Sequence, residues 1–233
     1  MTDNQKQSWE ESYQKKDNFL FFPHEEVIRF FAGYVSKRVG LDAFEKKASN
    51  DFPKVLDLGC GIGRHVVFAH QMKTDAYGID LSQTAVDVAR AWATKEGMKN
   101  ASEKIVQGDI TKMPFENEFF DHIVSHGVLD SMSLENSMNA FKEAARVLSP
   151  SGYFYCDLIS GDDSDHSADF GGEELVNTEH EKNTLQLYFN DALLEKVIAP
   201  YFKFHEKVIV RRTNVTRGQF YSRYHLILKK KSR

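Results

Sequence analysis

Through the middle of the chain, short and almost wholly apolar runs alternate with segments whose apolar residues recur at helical spacing. Lys54–Leu58, Asp75–Ile79, Lys104–Gln107, Phe120–Ser125 and Tyr153–Leu158 read as strands. Arg64–Gln71, Gln83–Glu96 and Leu134–Leu148 read as helices, with Ser82 as the cap of the second and Gly97 as its stop. Strands and helices that alternate over short connections predict βαβ units and a mostly parallel sheet. Because the strands are apolar at nearly every position, both faces of that sheet should be covered.

The flanks follow other patterns. Ser8–Tyr34 is rich in aromatics and predicts two helical pieces, broken at Phe22-Pro23 because the residue before proline disfavours the α region. The second piece, His24–Arg38, places Val27, Phe30, Phe31, Tyr34 and Val35 on one face, and Lys46–Pro53 reads as a polar link. Ser149–Gly152 reads as a turn before the fifth strand. Beyond Leu158, the segment Gly161–Glu173 reads as an exposed acidic loop, Leu185–Phe189 as a strand and Asp191–Ile198 as a helix. His205–Arg211 and Phe220–Lys229 read as an antiparallel hairpin, and the basic end Lys229–Arg233 as a solvated tail. The whole predicts one domain over residues 1–233: a helical cap over 1–45, a regular core over 54–158, and a substrate-facing segment with the hairpin over 159–233.

Composition narrows the function without choosing it. With 233 residues, 41% of them hydrophobic, the chain can bury one core but not two comfortable ones. A net charge of -4 does not mark a nucleic-acid binder. No apolar stretch approaches the ~20 residues that span a bilayer. Cys60 and Cys156 both lie in apolar segments and read as buried thiols. The expectation is a cytoplasmic protein, monomer or homodimer, with no nucleic-acid or membrane partner. The nine histidines are scattered and no H-E-x-x-H or paired C-x-x-C occurs, so no metal site is expected.

The chemistry concentrates in Val55-Leu56-Asp57-Leu58-Gly59-Cys60-Gly61-Ile62-Gly63. Closely spaced glycines between a strand and a helix let the backbone approach a ligand, and the helix N-terminus favours an anionic group. A dinucleotide fingerprint needs G-x-G-x-x-G, whereas Arg64 stands where the last of those glycines belongs. Asp80 closes the second strand, where a carboxylate can accept hydrogen bonds from both hydroxyls of a ribose. Gly108-Asp109-Ile110 follows the third strand, and Ser125-His126-Gly127-Val128-Leu129-Asp130 the fourth.

Over residues 54–158 this arrangement resembles the class I S-adenosylmethionine-dependent methyltransferases of the small-molecule type. The resemblance implies a doubly wound α/β fold with a mostly parallel seven-stranded sheet and a C-terminal antiparallel hairpin, and S-adenosylmethionine as cofactor. It implies that Asp57 orients the glycine turn of Gly59, Cys60 and Gly61 and reaches the methionine amino group. Asp80 and the neighbouring Leu81 would take the ribose, Asp109 and Ile110 the adenine, and the Ser125 carbonyl the amino group. Arg64 and His65 face either the methionine carboxylate or a surface ion pair. Among the aromatics Trp9, Tyr13, Phe21 and Phe22, Tyr13 is the foremost candidate for a lid over the sulfonium, with plain packing as the alternative.

The acceptor is less legible. His126 and Asp130 are the polar groups best placed to meet it, His126 as a general base if the acceptor is a hydroxyl. Tyr188 and the arginines Arg211, Arg212, Arg217 and Arg223 lie in the part where relatives of the family recognise acceptors. The reading is methyl transfer to a hydroxyl or amine of a small molecule. The Phe21–Val27 and Gly127–Asp130 segments resemble enzymes of sugar and surface-polysaccharide pathways, which brings in a sugar derivative. A catalytically silent cofactor-binding partner, or a protein or RNA methyltransferase, are the alternatives.

Overall fold

The computed structural model describes residues 3–47, 50–176 and 184–231. The ends of the expected single domain, the close of the basic tail and part of the expected substrate-facing segment lie outside the described residues. The five predicted parallel strands form at β1 (Lys54–Leu58), β2 (Asp75–Asp80), β3 (Ile105–Gln107), β4 (Phe120–Ser125) and β5 (Leu148–Ile159). The hairpin strands are β6 (Phe202–Asn214) and β7 (Gln219–Lys230). All seven join one sheet in the order β6-β7-β5-β4-β1-β2-β3. β1 lies parallel to both β2 and β4, β3 extends the sheet beyond β2, and β5 extends it beyond β4. β7 inserts antiparallel between β5 and β6. The sheet therefore reverses its winding between β1 and β4, and a crevice opens at that point beyond the carboxyl ends of the strands.

Helices cover both faces. On one side α6 (Leu134–Val147) and α7 (Asp191–Ile198) pack Phe141, Leu194 and Ile198 against Leu56, Leu58, Ile123 and Phe154. On the other, α2 (Glu25–Phe30), α3 (Arg64–Gln71) and α4 (Gln83–Lys95) bury Phe30, Val66, Ala89 and Ala93 against Val55, Val124 and Tyr155. Adjacent strand residues thus serve opposite cores: Val55 and Leu56, Ile123 and Val124, Phe154 and Tyr155. Two further helices complete the set, α1 (Asp3–Gln14) before the sheet and the single turn α5 (Ala101–Lys104) before β3.

Three expectations change. The helix predicted over His24–Arg38 ends at Phe30 and widens into a π-turn over Phe31–Val35. The wider turn lets consecutive Phe30 and Phe31 both face the core, at 1% and 0% exposure. Ser36–Arg38 is then extended and pairs with Phe44–Lys46 in a small ribbon. Ser149–Gly152 is not a turn between elements but an irregularity inside β5, because Leu148 pairs with Phe120 and Tyr153 with His122. Finally, Gly172–Leu175, read as loop and sequel, pairs antiparallel with Leu185–Tyr188; its glutamates conceal the strand pattern.

Phe141 is fully buried, with ring centroids 5.9 Å from Phe154 and 6.4 Å from Phe202. Replacing it with alanine should lower unfolding free energy by about 3–5 kcal/mol, measured as a fall in urea midpoint at constant m-value. A change below about 1 kcal/mol would contradict this account of the core.

Candidate functional site

The crevice is built from the ends of four strands. After β1 the chain turns through Gly59 and Gly61, at φ 66° and 52°, conformations that favour glycine. A Cβ on Gly59 would stand 2.6 Å from the Val128 side chain, and one on Gly61 2.6 Å from the Tyr13 hydroxyl. Asp80 at the tip of β2 holds this turn. Its Oδ2 accepts from the Gly61 N–H at 2.8 Å and its Oδ1 from Ser82 N–H at 2.9 Å. Burial pushes the Asp80 carboxyl up to about 6, against those hydrogen bonds. Asp109 after β3 accepts from the Thr111 N–H and hydroxyl at 2.8 and 2.7 Å. Burial raises its carboxyl, but the Thr111 bonds outweigh it and hold it below the usual range.

These residues bound a cleft with about 530 Å³ of empty space. Gly59, Asp80 and Leu81 form one wall, and Gly108, Asp109 and Ile110 another. Gly127, Val128, Ser131 and Met132 close it from the segment after β4, and Trp9 and Tyr13 cover it from α1. A carboxylate anchors the cover. Glu10 accepts from the Ser82 hydroxyl at 2.6 Å and from the Thr84 hydroxyl and N–H, at the N-terminus of α4 where a carboxylate also meets the helix dipole. Phe21 packs on the edge of Trp92, centroids 5.2 Å apart, while Phe22 is exposed.

Beside the cleft lies Asp57, 3% exposed, whose Oδ2 has no hydrogen-bond partner. His65 Nδ1 is 3.7 Å from that oxygen, and His65 Nε2 accepts from the His24 N–H, which assigns the His65 proton to Nδ1. A buried carboxylate oxygen left open suits an ammonium or N–H donor. Cys60 is buried below the turn, and the Ser125 hydroxyl donates to the Leu58 carbonyl at 3.3 Å. Arg64 turns toward His126, with its guanidinium 3.2 Å from His126 Nδ1 and 3.5 Å from the Phe22 carbonyl.

The two residues expected to meet an acceptor are placed differently. His126 Nδ1 accepts from Arg64, so its proton sits on Nε2, 3.4 Å from Asp157 Oδ2. Burial, with the His24 ring tilted against it at 3.9 Å and Arg64 alongside, pulls this imidazole down to about 3 despite Asp157. Its lone pair is occupied and its basicity low, so in this arrangement it is a poor general base. Asp130 is turned inward. Its Oδ2 accepts from the Ile159 N–H and the Arg223 guanidinium, both at 2.7 Å, and its carbonyl receives the Leu187 N–H. It does not line the cleft.

Arg223 lies in the same interior network instead of facing an acceptor. Its Nε donates to Asp157 Oδ2 at 2.8 Å, while Asp157 Oδ1 takes the Gly127 N–H at 2.7 Å. Tyr188 rests on His166 and Phe170, Arg211 on Asp162 and Phe220, and Arg212 on Tyr221. The cleft thus gathers Tyr13, Gly59, Asp80, Leu81, Asp109 and Ile110. Asp57, Cys60, Gly61, Arg64 and Ser125 stand outside its lining. Sequence reasoning missed Ser131 and Met132 as walls, because spacing after β4 does not say which residues a turn points inward. Among the described residues, no three His, Cys, Asp or Glu side chains are grouped to hold a metal ion, and no helix is long and apolar enough to cross a membrane.

Residues 56–156 match the methyltransferase domain model. The match covers 101 of the 233 residues, among them the glycine turn and the tips of the first four strands. The chain is similar to a sterol 24-C-methyltransferase of Gibberella zeae, 38% identical over 43% of this chain and 26% of that protein. It is 28% identical to a demethylmenaquinone methyltransferase of Staphylococcus aureus, over 64% of this chain and 56% of that one. The chain thus spans between about a quarter and two thirds of the length of such relatives. In fold it resembles the 1,6-didemethyltoxoflavin-N1-methyltransferase of Burkholderia thailandensis, solved with S-adenosylhomocysteine, with a TM-score of 0.64 at 14% identity over 97% of this chain and 87% of that one.

The Asp130–Arg223–Asp157 cluster gives a direct test. Arg223→Met leaves two buried carboxylates without their cation and should cost about 3–5 kcal/mol at pH 8. Protonation relieves unpaired carboxylates, so the loss should shrink at pH 5. Equal losses at both pH values in urea titrations would contradict the assignment.

Proposed function

We propose that this protein transfers the methyl group of S-adenosylmethionine to a hydroxyl or amine of a small molecule, and that an amine is the better match. The observation that carries the proposal is the cleft itself, which joins two strand-tip carboxylates, a glycine turn and the aromatic cover beside the open Asp57 oxygen. In this reading Asp80 accepts the ribose hydroxyls, since its two oxygens offer more lone pairs than the backbone donors of Gly61, Leu81 and Ser82 occupy. Asp57 takes the methionine ammonium, with the Ser125 carbonyl nearby and Arg64 toward the carboxylate. Ile110 and Asp109 flank the adenine, and Tyr13 and Trp9 shield the sulfonium face.

The bound cofactor supplies an electrophilic methyl whose leaving group is a neutral thioether and needs no acid. The chain's own share is alignment and exclusion of water, effects that together supply several kcal/mol. Ionisable groups on the cleft wall are Asp80, Asp109 and Tyr13, and this reading commits both carboxylates to the cofactor. With His126 blocked by Arg64, no base is left among the described cleft residues to take a proton of high pKa. An unprotonated amine or ring nitrogen attacks through its own lone pair, and the cationic product passes any N–H proton to solvent after the transfer. The Burkholderia thailandensis neighbour, named for N1 methylation, supports a nitrogen acceptor; the sterol and menaquinone relatives show how widely acceptors vary around similar domains.

Calorimetric titration with S-adenosylhomocysteine should register binding that weakens as Asp80 protonates. With its carboxyl at about 6, affinity should fall about tenfold between pH 7.5 and 5. Asp80→Asn should remove that dependence and weaken binding at pH 7.5. Burial raises the folded carboxyl above its unfolded value near 4, so the ligand-free protein loses Asp80's contribution as pH rises through about 4 to 6. Asp80→Asn removes that cost at pH 7.5 but sets an amide NH2 against one of the two backbone donors, so a circular dichroism spectrum matching the parent's separates a damaged site from a damaged fold. Absence of heat with the parent protein would overturn the reading.

His126→Gln should leave the pH profile of kcat unchanged in assays across an amine and hydroxyl panel. Loss of a titration near neutrality in that variant would restore His126 as the base and favour a hydroxyl acceptor.

A further inference from the structure

β6 is the outermost strand of the sheet, and among the described residues its outer edge carries no partner. A bulge between Phe204 and Glu206 bends it once, and from Glu206 to Asn214 the register with β7 is unbroken. In that stretch Val208, Ile209 and Val210 are three consecutive apolar residues, 49%, 47% and 44% exposed, so both faces of the strand present uncovered hydrocarbon. A regular edge with an apolar centre, flanked by charged residues and without proline, offers a row of backbone donors and acceptors to another strand.

The charge pattern around this edge is self-complementary. We propose that β6 pairs antiparallel with β6 of a second copy of this chain about a two-fold axis through Ile209, giving a homodimer with a continuous fourteen-stranded sheet. Opposed residues in such a pair share a face, so only registers centred on a residue are allowed. Centred on Ile209, the axis sets Ile209 against its own copy, Val208 against the second copy's Val210, and Glu206 against the second copy's Arg212. Centred one residue to either side, Ile209 would face Lys207 or Arg211 instead. The remaining opposed pair, Lys207 and Arg211, is already neutralised within each chain. Lys207 Nζ is 3.0 Å from Asp191 Oδ1, and Arg211 is paired with Asp162. Glu206 is bonded to the Tyr34 hydroxyl through Oε1, and Oε2 remains for Arg212 across the axis.

Sedimentation equilibrium of the full chain decides the matter together with two cysteine variants. The parent should sediment at twice the chain mass of 26.7 kDa. Ile209→Lys sets two ammonium groups across the axis and should weaken the dimer by about a hundredfold or more. Its circular dichroism should match the parent, since the residue is on the outer edge. Ile209→Cys should cross-link to itself on mild oxidation, because self-opposed residues meet within disulfide range. Val208→Cys should not, because it opposes Val210; native Cys60 and Cys156 are buried. A monomeric parent, a dimer unaffected by Ile209→Lys, or cross-linking of Val208→Cys as efficient as that of Ile209→Cys would each overturn the proposal.

Discussion

Negative charge buried at the carboxyl edge of the sheet governs the rest of this molecule. Asp57, Asp80, Asp130 and Asp157 are each at most 7% exposed, and all four lie at or just beyond the ends of β1, β2, β4 and β5. Unpaired, each would cost several kcal/mol. The fold answers them in three ways. Backbone N–H groups of Gly61, Ser82, Gly127 and Ile159 supply neutral donors. Arg223, reaching in from β7, supplies the cation for Asp130 and Asp157. Asp57 keeps one oxygen open.

That division of labour separates scaffold from site. The Asp130–Arg223–Asp157 group ties the antiparallel hairpin to the parallel core and fixes the segment after β4, whose Gly127, Val128, Ser131 and Met132 then wall the cleft. Asp80 performs both tasks at once: it holds the glycine turn through Gly61 and still presents free lone pairs to the cavity. Its raised carboxyl reflects that compromise, since burial penalises the charge more than the backbone donors relieve it.

The aromatic cover obeys similar logic. A polar helix such as α1 has little apolar surface to hold it against the sheet, and Glu10 docks it on the first turn of α4 through Ser82 and Thr84. Trp9 and Tyr13 are thereby placed over the glycine turn, whose lack of side chains leaves room for the Tyr13 ring.

Local chemistry made much of this readable in advance. Apolar runs bounded by glycine, proline and capping serine determined the seven strands and the principal helices, since periodicity and capping act over a few residues. The glycine spacing after Asp57 and the position of Asp80 at a strand end marked the cleft for the same reason. Tertiary structure alone decided the roles of Asp130, His126 and Arg223. Their partners are 93 residues away for Asp130 and Arg223, and 62 for Arg64 and His126. Whether a carboxylate faces a substrate or an arginine depends on which strands become neighbours, and the winding order of the sheet sets that.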